Sequence, residues 1–111
     1  MAARTLYSQT KTLTILSGAT ASGSMKIGEF SSGSVQLPAA MTGTALTIQT
    51  SNDNSTWASV RDVAGAAKAA ITVAASITVP LHPETFNALY MRLVSGSAEA
   101  ADRTLLLGLK G

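Results

Sequence analysis

No cysteine occurs among the 111 residues, which excludes disulfide frameworks, thiolate zinc sites and thiol nucleophiles. Charge is scarce as well. Only 13% of residues are Asp, Glu, Lys or Arg, well under the average of about 25%, so a solvated disordered tail does not fit. Eight basic against six acidic residues leave a net charge of +2. The basic residues Arg4, Lys11, Lys26, Arg61, Lys68, Arg92, Arg103 and Lys110 are never neighbours. Aromatic residues make up 5% of the chain. A surface that tracks phosphates needs clustered cations and often stacking rings, so nucleic acid is not an expected partner. Long apolar runs are missing too. The longest uncharged stretch, Phe30 to Asn52, carries Ser31, Ser32, Gly33, Ser34, Gln36 and Pro38, too polar to span a bilayer. Ahead of Ala19-Thr20-Ala21 the apolar core is short of a signal peptide's h-region. The expectation is a chain made in the host cytoplasm, without an export signal and without a membrane partner.

Hydrophobic residues, by contrast, make up 46% of the chain, and the mean hydropathy is +0.27. They come in short runs broken by Gly, Ser, Asn and Pro about every ten to fifteen residues, the spacing of an all-β sandwich or barrel. Thr12–Leu16, Met25–Phe30, Ser34–Leu37 and Ala45–Thr50 alternate apolar with polar residues, so each reads as a strand with one buried face. Ser51-Asn52-Asp53-Asn54-Ser55 is a dense turn signal, and Leu46 to Val60 reads as a hairpin around it. Ala64–Ala75 mixes helix-favouring alanines with β-branched Ile71, Thr72 and Val73, and is read as a loop entering a strand. Ile77, Val79 and Leu81 continue in period two. His82–Phe86 reads as a single helical turn, with Pro83 in its first turn. Tyr90–Val94 and Thr104–Leu109 close the chain. The predicted fold is all-β, a jelly-roll-like antiparallel sandwich of about eight strands with one short helical turn. One domain is expected over residues 12–111, preceded by an N-terminal arm at 1–11.

Material for catalysis is thin. His82, the single histidine, sits in a turn with no marked acid or nucleophile partner. The carboxylates Glu29, Asp53, Asp62, Glu84, Glu99 and Asp102 are dispersed. Asn52-Asp53-Asn54 resembles a fragment of a calcium loop but lacks the glycine and terminal glutamate of an EF-hand. Asn54-Ser55-Thr56 spells a glycosylation acceptor, accidental in a chain that is not exported. Trp57 reads as packing in the core or near its rim, and Arg61, Asp62 and Arg92 as surface charges. No enzyme activity, cofactor or metal is expected. The outward-pointing feature is the arm, where Arg4, Leu6, Tyr7 and Lys11 are the candidate partner contacts: such a segment can drape over a neighbour or add an edge strand.

Two resemblances accompany these residues. Ser51-Asn52-Asp53-Asn54-Ser55-Thr56-Trp57 is similar to the hairpin of discoidin-type carbohydrate-binding β-sandwiches, with Asn54 where that pattern usually has Gly. The resemblance carries no binding residues with it. A wider one joins Leu37 to Gln49, Pro83-Glu84-Thr85-Phe86, Tyr90 to Gly96 and Ala101-Asp102-Arg103-Thr104-Leu105. Together these resemble small structural proteins of tailed bacteriophages over most of Leu13 to Lys110. Met41 departs from a position that is often Trp in that group. The resemblance implies a virion component, in first place a decoration or cement protein on the capsid exterior that clamps the major capsid protein. A homotrimer suits the local symmetry axes of a shell. The alternatives are a neck or tail component and a carbohydrate-binding module for host attachment.

Overall fold

The computed structural model describes residues 8–60, 70–81 and 83–111. Among the described residues nine strands form two antiparallel sheets: β1 (Ser8–Ile15), β2 (Met25–Lys26), β3 (Ser32–Gln36), β4 (Ala45–Ser51), β5 (Ala58–Ser59), β6 (Ala70–Thr72), β7 (Thr78–Pro80), β8 (Tyr90–Ser95) and β9 (Arg103–Lys110). A 3-10 turn at Pro83–Asn87 precedes β8. The first sheet has the order β1-β9-β3-β7; in the second, β2-β8-β4-β5, β6 also pairs with β4.

The pairing explains the order. β1 pairs with β9, β2 with β8, β3 with β7, and β4 with both β5 and β6, all antiparallel. This is one long hairpin, from the chain ends to a tip after β4. Rolling it up adds the β3–β9 and β4–β8 ladders, the jelly-roll winding that the sequence reading expects. Nine strands appear rather than about eight because two short strands share one side of β4. β6 takes Ala45 to Thr47, and β5 takes Gln49 and Thr50.

Alternation drives the layers together. In β9, Leu105, Leu107 and Leu109 are at most 1% exposed, whereas Thr104, Leu106, Gly108 and Lys110, which alternate with them, face water. Leu13, Ile15 and Val35 join them from the first sheet, and Leu46, Ile48, Met91 and Leu93 oppose them from the second. Period two across both sheets is what a sandwich core requires.

Several strand ends depart from expectation. β1 starts at Ser8, four residues before Thr12, so Ser8 to Lys11 of the expected arm pair with Lys110 to Leu107 of β9. Both faces are polar there, which hides the strand from a hydrophobic pattern. β2 stops at Lys26 instead of running to Phe30. Phe30 N–H donates to the Ile27 carbonyl in a turn, and both side chains are buried, a spacing of three that a strand cannot satisfy on one face. The Leu46–Val60 hairpin is present, with Thr50 opposite Ala58. Asn54 at its turn has φ +58°, the left-handed region where Asn is tolerated and Gly is favoured.

One buried polar atom is orphaned. Thr85, in the 3-10 turn, is fully buried, and its hydroxyl has no hydrogen-bond partner among the described residues. An unpaired buried hydroxyl costs about 1 kcal/mol or more. Thr85→Val, nearly isosteric, is therefore expected to raise stability by about 1 kcal/mol. Thermal denaturation checks this; a loss of similar size would mean that the hydroxyl is bonded in solution.

Candidate functional site

Of the four residues proposed as partner contacts, Arg4, Leu6 and Tyr7 lie outside the described residues, as do His82, Arg61 and Asp62. Lys11 is described. It is paired with Leu107 in the β1–β9 ladder, so it shares the inward side of the sheet, and its Nζ lies 5.7 Å from the centroid of the Phe30 ring. Among the described residues β1 is an edge strand. An inward-directed lysine on an edge opposes strand addition by another chain, while the ring interaction compensates the ammonium group.

Three regions stand out on the remaining surface. The first is the outer face of the β1-β9-β3 sheet, where Ser8, Thr10, Ser32, Ser34, Gly108 and Lys110 line a shallow trough of about 490 Å³. Hydroxyls dominate it, and exposed Leu106 stands beside it on β9.

The second is a knot at the opposite end of the sandwich, centred on Glu99. This carboxylate is 1% exposed yet fully partnered. It accepts the Thr42 N–H at 2.8 Å, the Gly43 N–H at 2.9 Å and the Ser95 hydroxyl at 2.7 Å. The Arg103 Nε donates to it at 3.0 Å. Burial alone pushes the carboxyl up, but the Ser95 hydroxyl, the two N–H groups and Arg103 together outweigh it and hold the group at about 2. Its backbone also bonds Gly18 and Ala19. One residue thus ties together the β1–β2 loop, the β3–β4 loop and the ends of β8 and β9.

The third region is the outer face of the second sheet. Arg92 pairs with Gln49 across β8 and β4, and its Nε donates to Gln49 Oε1 at 2.8 Å. Its guanidinium lies over the Trp57 ring, Cζ 4.6 Å from the centroid. Trp57 is therefore half-buried on the outer face and is not a member of the core. The hairpin register accounts for this: Thr50 stands opposite the buried Met91 and opposite Ala58, so the residue before Ala58 turns outward. Tyr90 occupies the same face two residues before Arg92, with Lys26 opposite it on β2.

Sequence reasoning counts Glu99 among dispersed carboxylates and Arg92 among surface charges. Glu99 bonds partners 56 and 57 residues away, and no spacing along the chain signals that. For Arg92 the alternation with Met91 and Leu93 gives an outward direction, but the stack on Trp57 appears only once the hairpin register is known.

The β4–β5 turn is closed by Asp53, whose Oδ1 accepts the Ser51 hydroxyl and the Ser55 and Thr56 N–H groups. The Thr56 N–H above all, then the Ser51 hydroxyl and the Ser55 N–H, hold this carboxyl well below the usual range. The oxygen that could have served a calcium loop is spent on the turn. Among the described residues no three His, Cys, Asp or Glu side chains gather as a metal-holding group, and no helix is long and apolar enough to cross a membrane.

No family model matches the sequence, and no curated protein matches it either. Among solved structures, the chain is similar to the crystal structure of the SPBc2 prophage-derived protein YomS. The TM-score is 0.64 at 9% sequence identity, and the likeness covers 100% of both chains. At that identity the likeness is one of fold, and it extends over the entire sandwich.

Proposed function

We propose that this chain is a structural protein of a tailed-bacteriophage particle, a decoration protein that binds and stabilises the major capsid shell from outside. The observation that carries the reading is the end-to-end likeness of its fold to a prophage-derived protein. The framework residues that resemble phage structural proteins point the same way. So does the distribution of surface features: two broad sheet faces and an edge strand, suited to adhesion and not to transformation of a small molecule. Repeated around a shell, modest contacts of this kind add up through symmetry. The expected partners are the major capsid protein and further copies of the chain, as a homotrimer at a local symmetry axis.

Quantitative mass spectrometry of purified virions tests the reading. Decoration requires a copy number comparable with that of the shell protein. A count matching a single ring of subunits would move the protein to the neck or tail, and its absence from the particle would end the virion reading.

A further inference from the structure

We infer that the outer face of the second sheet, centred on Arg92, is a docking site for an extended acidic segment of a partner protein, with carboxylates at alternate positions. The argument begins with how Arg92 is held. Its Nε is committed to Gln49 and its plane to Trp57, so the side chain is fixed at both its neck and its face. Among the described residues the two terminal amino groups have no acceptor. A guanidinium fixed in this way presents its remaining donors edge-on, the geometry that takes a carboxylate bidentately. Most of the side-chain entropy that binding would cost has already been lost in folding.

Charge selects the occupant. Lys26 faces outward opposite Tyr90, and Arg92 lies two residues further along β8. Among the described residues, every formal charge at an outward position of this sheet is positive. The side chains of Lys26 and Arg92 leave the sheet roughly 7 Å apart, on a diagonal across two neighbouring strands, and the Arg92 guanidinium then reaches away from Lys26, across β4 to Trp57. Carboxylates at alternate positions of an extended chain recur about every 6.8 Å on one face, so such a segment lying across the strands offers one carboxylate to Arg92 and directs its next ones toward Lys26. Half-buried Trp57 and Tyr90 flank the cations and supply contact area of the type that dominates protein interfaces.

Trp57 is the single tryptophan of the chain and touches Arg92, so its fluorescence reports occupancy directly. The experiment titrates the full chain with acetyl-Ser-Glu-Leu-Glu-Ser-amide and with the matching Gln-Leu-Gln peptide. The acidic peptide is expected to saturate the Trp57 signal, with a Kd on the order of 1 mM. The amide peptide should bind at least about tenfold more weakly, as should the acidic peptide to Arg92→Lys, which keeps the charge but loses the fork. Equal response to both peptides overturns the inference, as does an unchanged Kd in R92K or no response at all. Two further results overturn it: saturation by glucuronate but not by the peptide makes the site one for acidic sugars, and a signal that changes with protein concentration alone makes it a self-contact. Comparing the two peptides on the unaltered protein needs no variant, so it stands even if R92K folds poorly. Nothing in the titration requires a virion, so failure here leaves the decoration reading untouched, and the reverse holds as well.

Discussion

Glu99→Gln is expected to lower stability by about 3 kcal/mol, the range for removing one partner of a buried, hydrogen-bonded ion pair. For a domain of this size that lowers Tm by about 12 °C or more. The side chain keeps its shape, but one oxygen becomes an NH2 group. Its acceptors now face four donors: the N–H groups of Thr42 and Gly43, the Ser95 hydroxyl and Arg103 Nε. At least one donor is left facing another, and Arg103 loses its counter-charge. The same substitution should flatten the acid limb of the stability curve. The Glu99 carboxyl lies at about 2 in the folded protein against an ordinary value of 4.5. Its stabilising contribution is therefore complete above pH 4.5, falls as the pH drops towards 2 and is gone below that. The full shift corresponds to about 3 kcal/mol. Asp53 weakens in the same direction at low pH, but it does so in both proteins, so the difference between them isolates Glu99. Urea denaturation at pH 7, 4 and 2.5 measures it. A gap between wild type and E99Q that stays constant with pH would show that the carboxylate is not the source of the stability.

The two parts of the molecule differ in how much of them could be read from the sequence. The sandwich was legible because its signal is local. Leu46 and Ile48 alternate with polar residues, and Leu105, Leu107 and Leu109 recur in the same period of two, broken only by the exposed Leu106; such alternation specifies a buried face wherever it occurs. The Asn52–Asn54 turn likewise carries its chemistry in its own residues, down to the left-handed Asn54. What stayed hidden depends on distant register. Ser8 to Lys11 look polar on both sides and become a strand only because β9 is long enough to pair with them. Glu99 stands in a run of Ser and Ala with no periodicity, and its partners come from the β3–β4 loop and from both ends of the β8–β9 connection. Arg92 gains its meaning from Trp57, which is 35 positions earlier in the chain and reaches it only across β4. Loop chemistry of this kind is set by where the strands place their ends, so the layers must be known before the site can be seen.

Two glycines of neighbouring strands should respond to alanine with opposite signs. Gly33, in β3, stands opposite Leu109. A Cβ there would lie 2.7 Å from the Gly108 carbonyl oxygen and 2.9 Å from Leu109 Cδ2, with Phe86 Cζ at 3.3 Å. The first of these is backbone and cannot move without disturbing the β3–β9 ladder, and the Gly33 carbonyl already accepts the Leu81 N–H. Gly33→Ala is therefore expected to cost about 2 kcal/mol, within the range for overpacking a well-filled interior. Gly108, in β9, faces outward, and among the described residues a Cβ there would meet only Ser34 Oγ, at the ordinary contact distance of 3.6 Å. Folding gains nothing from glycine at that position and loses backbone entropy, so Gly108→Ala should stabilise by about 0.5–1 kcal/mol. Chemical denaturation of the two variants side by side tests the pair. If G108A destabilises the isolated protein, the outer face of the first sheet is packed against something within the chain itself, and the steric distinction between the two glycines is wrong. If G33A is neutral, β3 and β9 have room to separate, and the tight ladder that joins the two halves of the roll is looser than these distances imply.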